Sequence, residues 1–115
     1  MLQDSLVSMF DTVDARDWDK LRRYYASDCI YERPGFATIE GLHALIHFYA
    51  ALRPIESGRH VLGRFIEQGE RVCVAGRFTG ALRSGTGIEL QFMDMYLFDG
   101  QLIRYRQTFF FTPLV

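Results

Sequence analysis

The sequence lacks several features that would each point to a particular class of protein. It has no run of lysine and arginine and a net charge of only −1, so nothing in it matches a nucleic-acid backbone. No apolar stretch reaches about 18 residues, the length that a membrane-spanning helix needs. The first residues carry acids instead of a basic segment, so we expect no signal peptide. The sequence therefore predicts no nucleic-acid or membrane partner.

Cysteine is also scarce, and no metal or cofactor motif is present. Cys29 and Cys73 lie far apart, without the short spacing of a metal ligand pair, and we expect reduced thiols in a cytoplasmic protein. His43 and His47 are spaced for metal binding on one helix, but no carboxylate lies nearby in sequence, and we expect that helix face to be exposed to solvent. We expect no metal and no cofactor.

What is present begins with helical periodicity in the first half. Apolar residues recur every three or four positions from Leu2 to Val13. A second helix is predicted from Asp17, its N-cap, to about Tyr25. A short strand at 29–33 follows, and a third helix begins at Gly41 and ends before Pro54.

From Gly58 onward the period changes to two, which is typical of strands. We predict strands at about 58–68, 71–82, 87–99 and 102–111, joined by short turns that make neighbouring strands antiparallel. The sequence thus predicts a single α+β domain over residues 1–115. Three N-terminal helices would roof one face of a curved, four- or five-stranded antiparallel sheet.

The strand at 87–99 has two different faces. Its aromatic face includes Asp94, which we expect to point inward towards the helices. The opposite face carries Met93, Met95 and Leu97, an apolar patch that predicts a homodimer through the outer face of the sheet.

The same alternation predicts which other side chains line an internal pocket. On the last strand, Arg104, Arg106 and Thr108 are placed outward, because arginines need water or a partner. The predicted pocket residues on the strands are Tyr31, Phe78, Phe92, Tyr96, Tyr105, Gln107 and Phe109.

The order of these motifs resembles the NTF2-like superfamily, in its SnoaL-like and ketosteroid-isomerase-like branch. A strand ending in 32–35 is followed by a helix containing Phe48 and Tyr49, a hairpin at 68–72, and the stretch 92–100 on the penultimate strand. The resemblance implies a cone-shaped α+β barrel whose sheet curls around a hydrophobic pocket, in a homodimer.

The resemblance also implies where functional residues would lie. Ketosteroid isomerases have a tyrosine on the first helix, an aspartate base before Pro-Gly, and an aspartate on the penultimate strand. The matching residues are Met9, Arg33 and Asp94, so only the last is kept. SnoaL-type cyclases place an acid on the last strand, where residues 108–111 have none. The sequence thus favours neither reaction by the familiar route.

Asp94 is the candidate catalytic residue, with two interpretations left open. It could act on a substrate oxygen or proton, or it could be a structural acid paired with Arg33 or a tyrosine hydroxyl. Arg33 could instead bind an anionic ligand group. His60 could be a base, but a hairpin pairing Glu67 with Glu70 would place it outside the pocket, on the surface.

Two functions follow from these residues. The first is binding of a small hydrophobic, oxygenated molecule, with action as a cofactor-independent isomerase, cyclase or lyase. The second is a non-catalytic ligand-binding or dimeric interaction module, since fold alone does not decide function.

Overall fold

The computed structural model describes residues 2–112. Three α-helices and six strands follow one another in this order: α1 (Leu2–Asp14), α2 (Trp18–Leu21), β1 (Tyr25–Glu32), β2 (Ile39–Glu40), α3 (Leu42–His47), β3 (Ile55–Gln68), β4 (Arg71–Leu82), β5 (Gly87–Asp99) and β6 (Leu102–Phe110). A 3₁₀ turn, Arg22–Tyr24, follows α2, and a π-helical turn, Phe48–Leu52, follows α3.

The helices form from the predicted amphipathic patterns. The apolar face of α1, including Leu6, Met9 and Phe10, is buried against the sheet. Asp17 caps α2 by accepting a hydrogen bond from the backbone nitrogen of Lys20 at 3.1 Å, as predicted. The second helix is shorter than expected, because the chain enters β1 at Tyr25, four residues before the predicted strand.

The sheet has six strands in the order β2-β1-β6-β5-β4-β3, more than the four or five expected. The long strands β3 to β6 are antiparallel neighbours, as their short turns dictate. β1 lies parallel to β6, with Tyr31 opposite Arg106. Most of the chain separates these two strands, so no short turn fixes their direction. The fold class is confirmed: an α+β fold with a curved, unclosed sheet under three helices.

Glycines on the sheet make room for the aromatic rings of its concave face. A Cβ at Gly80 would lie 2.8 Å from Cζ of Phe78, and one at Gly76 would lie 2.8 Å from Cζ of Phe92. Both rings are buried, so the absence of a side chain at these glycines leaves the space that the rings occupy.

The predicted facing of β6 was wrong beyond Ile103. Leu97 is opposite Tyr105 while Phe98 is opposite Ile103, so Arg104 is an extra residue in the ladder, a β-bulge. The bulge reverses the alternation and turns Arg106 inward. The same shift buries Thr108 and turns three other side chains towards the outer face: Tyr105, Gln107 and Phe109.

The structure also bears on metal binding and on membrane-spanning helices. His43 and His47 are exposed, as predicted. Within residues 2–112 no group of three or more histidine, cysteine or acidic side chains is arranged to hold a metal. No helix in that range is long and apolar enough to cross a membrane.

Candidate functional site

The concave face of the sheet and the helical roof enclose a small cavity with a volume of about 20 Å³. That is room for about one water molecule. Its walls combine aromatic rings with four charged groups, Arg33, Arg53, Arg106 and Asp94, and with the imidazole of His60. The site is therefore not the simple hydrophobic pocket that the sequence predicted.

Asp94 lies at the bottom of this site and has no exposure to solvent. Its Oδ1 accepts a hydrogen bond from the Thr108 hydroxyl at 2.5 Å, and its Oδ2 accepts one from the Tyr96 hydroxyl at 2.6 Å. Burial raises the pKa of Tyr96 well above its ordinary value, so this hydroxyl remains a donor.

Arg106 completes the environment of Asp94. Its Nε and Nη2 lie 3.2 and 2.9 Å from Oδ2 of the carboxylate, while Nη1 donates to the hydroxyls of Tyr25 and Tyr49 at 3.0 and 2.8 Å. Burial alone would lower the pKa of Arg106, but Asp94 and the surrounding tyrosines outweigh it and raise it well above the ordinary value. The ionic partner of Asp94 is thus Arg106, so a pairing with Arg33 is wrong, whereas the alternative of a tyrosine hydroxyl is confirmed by Tyr96.

A chain of hydroxyl groups connects Asp94 to Arg33. Because the single Thr108 hydrogen is given to Asp94, the Tyr31 hydroxyl donates to Thr108 Oγ1 at 2.9 Å. The same Tyr31 oxygen accepts from Nη1 of Arg33 at 3.4 Å. We call Asp94, Arg106, Thr108, Tyr96 and Tyr31 the Asp94 network. No buried side-chain nitrogen or oxygen of these five residues lacks a hydrogen-bond partner within residues 2–112.

Arg33 is only weakly held at the end of this chain. Its guanidinium carbon lies 5.0 Å from the ring centre of Phe48 and 5.5–5.9 Å from those of Phe36, Phe110 and Tyr31. These are cation–π distances. Its Nε is buried and has no hydrogen-bond partner in the described part of the chain.

Arg53 carries a second guanidinium group that forms no ion pair with an acid among residues 2–112. Pro54 holds it in an extended conformation between the π-helical turn and β3, and its side chain is directed to the cavity. Only 5% of the residue is exposed, and its guanidinium carbon lies 5.2 Å from the Tyr49 ring and 5.6 Å from the Phe78 ring. Its Nε has no partner among residues 2–112. Burial, above all, lowers the pKa of Arg53.

His60 faces the cavity and forms a pair with Asp14 at the end of α1. Oδ1 of Asp14 lies 2.5 Å from Nδ1 of the ring, and Oδ2 accepts from the His60 backbone nitrogen at 2.9 Å. A carboxylate only accepts, so Nδ1 carries the hydrogen and Nε2 of the neutral ring is left as an acceptor. No described residue hydrogen-bonds to Nε2.

The surroundings of His60 favour that neutral form. Its side chain is 8% exposed and packs between Phe10 and Phe78, each with a ring-centre distance of 4.7 Å. Burial lowers the pKa of His60 and outweighs the opposing effect of Asp14, while Arg53 and Arg106 lower it further. The expectation of a surface histidine was wrong, because the register places His60 opposite Phe78.

The structure brings only some of the predicted ligand-binding residues to the cavity. Those that line it are Tyr31, Arg33, Phe78, Phe92 and Asp94. Tyr96 belongs to the Asp94 network, and Met9 is buried nearby, with its sulfur 3.8 Å from the Tyr25 hydroxyl.

The other three predicted ligand residues do not line the cavity. Tyr105, Gln107 and Phe109 are turned away from it by the bulge in β6. Gln107 and Phe109 instead line a shallow outer cleft of about 350 Å³, which shares Arg33 and Thr108 with the cavity. Tyr105 donates to Glu32 at 2.5 Å, and burial followed by Glu32 raises the pKa of Tyr105 to about 12.

Sequence analysis also missed three residues of the site. Arg106 could have been found from Asp94, because an acid on a buried face requires a partner and β6 is the adjacent strand. His60 required the register of the β3–β4 hairpin. No motif or spacing in the sequence indicates that Arg53 lies at the cavity.

Comparison with known proteins identifies the fold. The family model of the SnoaL-like domain matches residues 6–106 of the sequence. An NTF2-like protein of unknown function from Burkholderia pseudomallei has a TM-score of 0.86 at 20% identity, covering 96% of this chain and 90% of that one. A candidate SnoaL-like polyketide cyclase from Jannaschia sp. has a TM-score of 0.82 at 19% identity, covering 95% and 84%.

An epoxide hydrolase-like relative has the same architecture. The LEH-like epoxide hydrolase of M. tuberculosis has a TM-score of 0.81 at 14% identity, covering 94% of this chain and 80% of that one. At such identities these structures show a shared fold and nothing finer. No functionally curated protein is significantly similar to the sequence. The resemblance inferred from the sequence is confirmed.

Proposed function

The chain belongs to the SnoaL-like domain family, and on that premise we propose that it is a cofactor-independent enzyme that moves a proton on a small oxygenated molecule. The observation that carries the proposal is the His60–Asp14 pair at the cavity. Asp14 fixes the ring orientation and tautomer, which leaves Nε2 as a general base.

The reaction class follows from the groups around this base. His60 Nε2 takes a proton from a carbon next to a carbonyl group, and the electron pair of the broken C–H bond moves onto the carbonyl oxygen. The guanidinium groups of Arg33 and Arg53, which keep unused N–H donors at the cavity, stabilise the negative oxygen. Return of the proton from His60 to another atom completes an isomerisation with no net change in atoms or electrons.

Asp94 has a supporting role in this proposal. Its carboxylate already accepts four hydrogen bonds and is enclosed by the Asp94 network. A base must offer a free lone pair to the substrate, so His60 is better suited than Asp94 to take the proton.

A second function is favoured by the size of the cavity. Room for about one water molecule is too little for a substrate unless side chains move. A protein that binds a ligand in the outer cleft without catalysis would need no such movement.

Solvent exchange separates the two functions without knowledge of the substrate. A panel of small ketones and keto acids is incubated with the protein in D₂O, and deuterium incorporation at carbon is followed by NMR. We expect exchange above the buffer rate for at least one compound, and a loss of about 10²–10⁴-fold in His60→Gln. The matched control, His47→Gln, changes an exposed histidine and keeps the rate. Compounds that bind without any protein-dependent exchange would favour the non-catalytic function.

We also propose a homodimer through the outer face of the sheet and a cytoplasmic location. Met93 is 42% exposed and Ile66 70% exposed on that face, and Met95 and Leu97 lie beside them. The unpaired cysteines Cys29 and Cys73 suit a reducing compartment. A solution molar mass near 13.4 kDa at micromolar concentration would contradict the dimer.

A further inference from the structure

The charges around the cavity do not balance. Three guanidinium groups line it, from Arg33, Arg53 and Arg106, and Asp94 is the one acid among the described lining residues. Asp94 is fully engaged with Arg106. Asp14, an acid that contacts the lining from the end of α1, is bonded to His60. Two positive charges, on Arg33 and Arg53, are therefore left without a negative partner among residues 2–112.

These two arginines also keep unused hydrogen-bond donors. Nε of Arg33 and Nε of Arg53 are the buried side-chain nitrogens without a partner within residues 2–112. A guanidinium stays charged in proteins, and a buried charge without a partner is costly. The aromatic rings of Phe48 and Tyr49 compensate part of that cost by cation–π contact, but they satisfy no N–H group.

We propose that the substrate is an organic acid whose carboxylate binds between Arg33 and Arg53. A carboxylate supplies both missing elements, a negative charge and acceptor oxygens in the planar arrangement that guanidinium groups match. This inference names the substrate class of the same site and rests on the proposed function.

The position of the two arginines fits entry from the outer cleft. Arg33 lines both the cleft and the cavity, so it meets a carboxylate arriving from outside. Arg53 lies deeper and close enough to His60 to lower the pKa of that ring. An acid anchored there has its neighbouring carbon atoms beside His60, where the proton is removed.

Glu32 is the acid that could compete for Arg33 at the cleft. Its carboxylate accepts a hydrogen bond from Tyr105 at 2.5 Å and makes no ion pair with Arg33 within the described residues. Glu32 therefore leaves the Arg33 guanidinium available to a ligand.

Two probes with the same ring test the inference. Benzoate carries the carboxylate, and benzyl alcohol is a neutral molecule of similar size. Binding is measured by calorimetry and by NMR shifts of the His60 ring. We expect benzoate to bind at least 10-fold more tightly than benzyl alcohol, and Arg53→Gln and Arg33→Gln each to weaken benzoate at least 10-fold. Arg59→Gln removes an exposed arginine from β3 and serves as the matched control.

The possible failures are distinguishable. If benzyl alcohol binds as tightly as benzoate and shifts His60, the carboxylate inference is overturned while the proposed pocket function stands. If neither probe at millimolar concentration shifts His60, both proposals are contradicted. Arg53→Lys keeps the charge, so loss of benzoate binding in Arg53→Gln with partial retention in Arg53→Lys identifies charge, not folding, as the cause.

Discussion

The two halves of the site use the same residue type in opposite ways. Arg106 is buried with a carboxylate and two tyrosine hydroxyls that occupy its donors. Arg53 is buried almost as completely, at 5% against 4% exposure, but its guanidinium contacts the rings of Tyr49 and Phe78 and forms no ion pair within residues 2–112. A buried arginine with its partners supports the fold, whereas a buried arginine without partners favours a ligand.

Arg33, Arg53 and His60 differ from the Asp94 network, because each keeps one side-chain nitrogen without a hydrogen-bond partner among the described residues. We therefore assign the Asp94 network to stability, and Arg33, Arg53 and His60 to function. Charge and burial alone do not separate the two groups. The count of satisfied donors and acceptors does.

The largest expected effect is on the Asp94 network. Asp94→Asn removes the negative charge that compensates Arg106, and breaking a buried pair in this way costs about 3–5 kcal/mol. We expect the melting temperature to fall by more than about 10 °C. Glu89→Gln, an exposed acid on the same strand, is the control and should change it little. Unchanged stability with lost proton exchange would instead assign Asp94 to catalysis.

A smaller effect is expected where the network ends. Tyr31→Phe removes the hydroxyl that donates to Thr108 and accepts from Arg33. Thr108 keeps its bond to Asp94, so we expect a loss of about 1–2 kcal/mol in chemical denaturation. Tyr24→Phe on the half-buried 3₁₀ turn is the matched control. A loss as large as that of Asp94→Asn would mean that the network extends to Arg33.

The smallest effect concerns pH and His60. Its folded-state pKa is lowered from the ordinary 6.5, so the unfolded chain takes up a proton first as the pH falls. Stability is therefore full above pH 6.5 and decreases below it towards the folded pKa. We expect the wild type to lose more stability than His60→Gln between pH 7.5 and 5, with His43→Gln behaving as wild type. Equal pH slopes in all three would contradict a neutral, buried His60.

Much of the fold could be predicted from the sequence. The bounds of β4 and β5 follow from period-two alternation between glycine-containing turns, and Asp94 points inward as its aromatic neighbours indicate. The parallel pairing of β1 with β6 could not be predicted, because it is a long-range contact with no turn to specify it.

The candidate site was harder to predict, for two local reasons. A bulge at Arg104 reverses the facing of the rest of β6, and alternation read along one strand cannot show an inserted residue. On β3, the hairpin pairs Gln68 with Arg71, and an irregularity between Leu62 and Phe65 shifts the register again. A one-residue shift moves side chains to the other face: the bulge at Arg104 does this for Arg106, and the irregularity between Leu62 and Phe65 does it for His60, which is why both were placed outside.

The central claim is that Arg106 stabilises the fold, whereas Arg53 binds a ligand. Thermal unfolding of Arg106→Met and Arg53→Met, measured side by side without ligand, tests it most directly. We predict that Arg106→Met lowers the melting temperature by more than about 10 °C, since it leaves Asp94 buried and unpaired. Arg53→Met should leave the melting temperature unchanged or raise it, because it removes a buried charge without a partner. An equal and large decrease in both variants would contradict the claim.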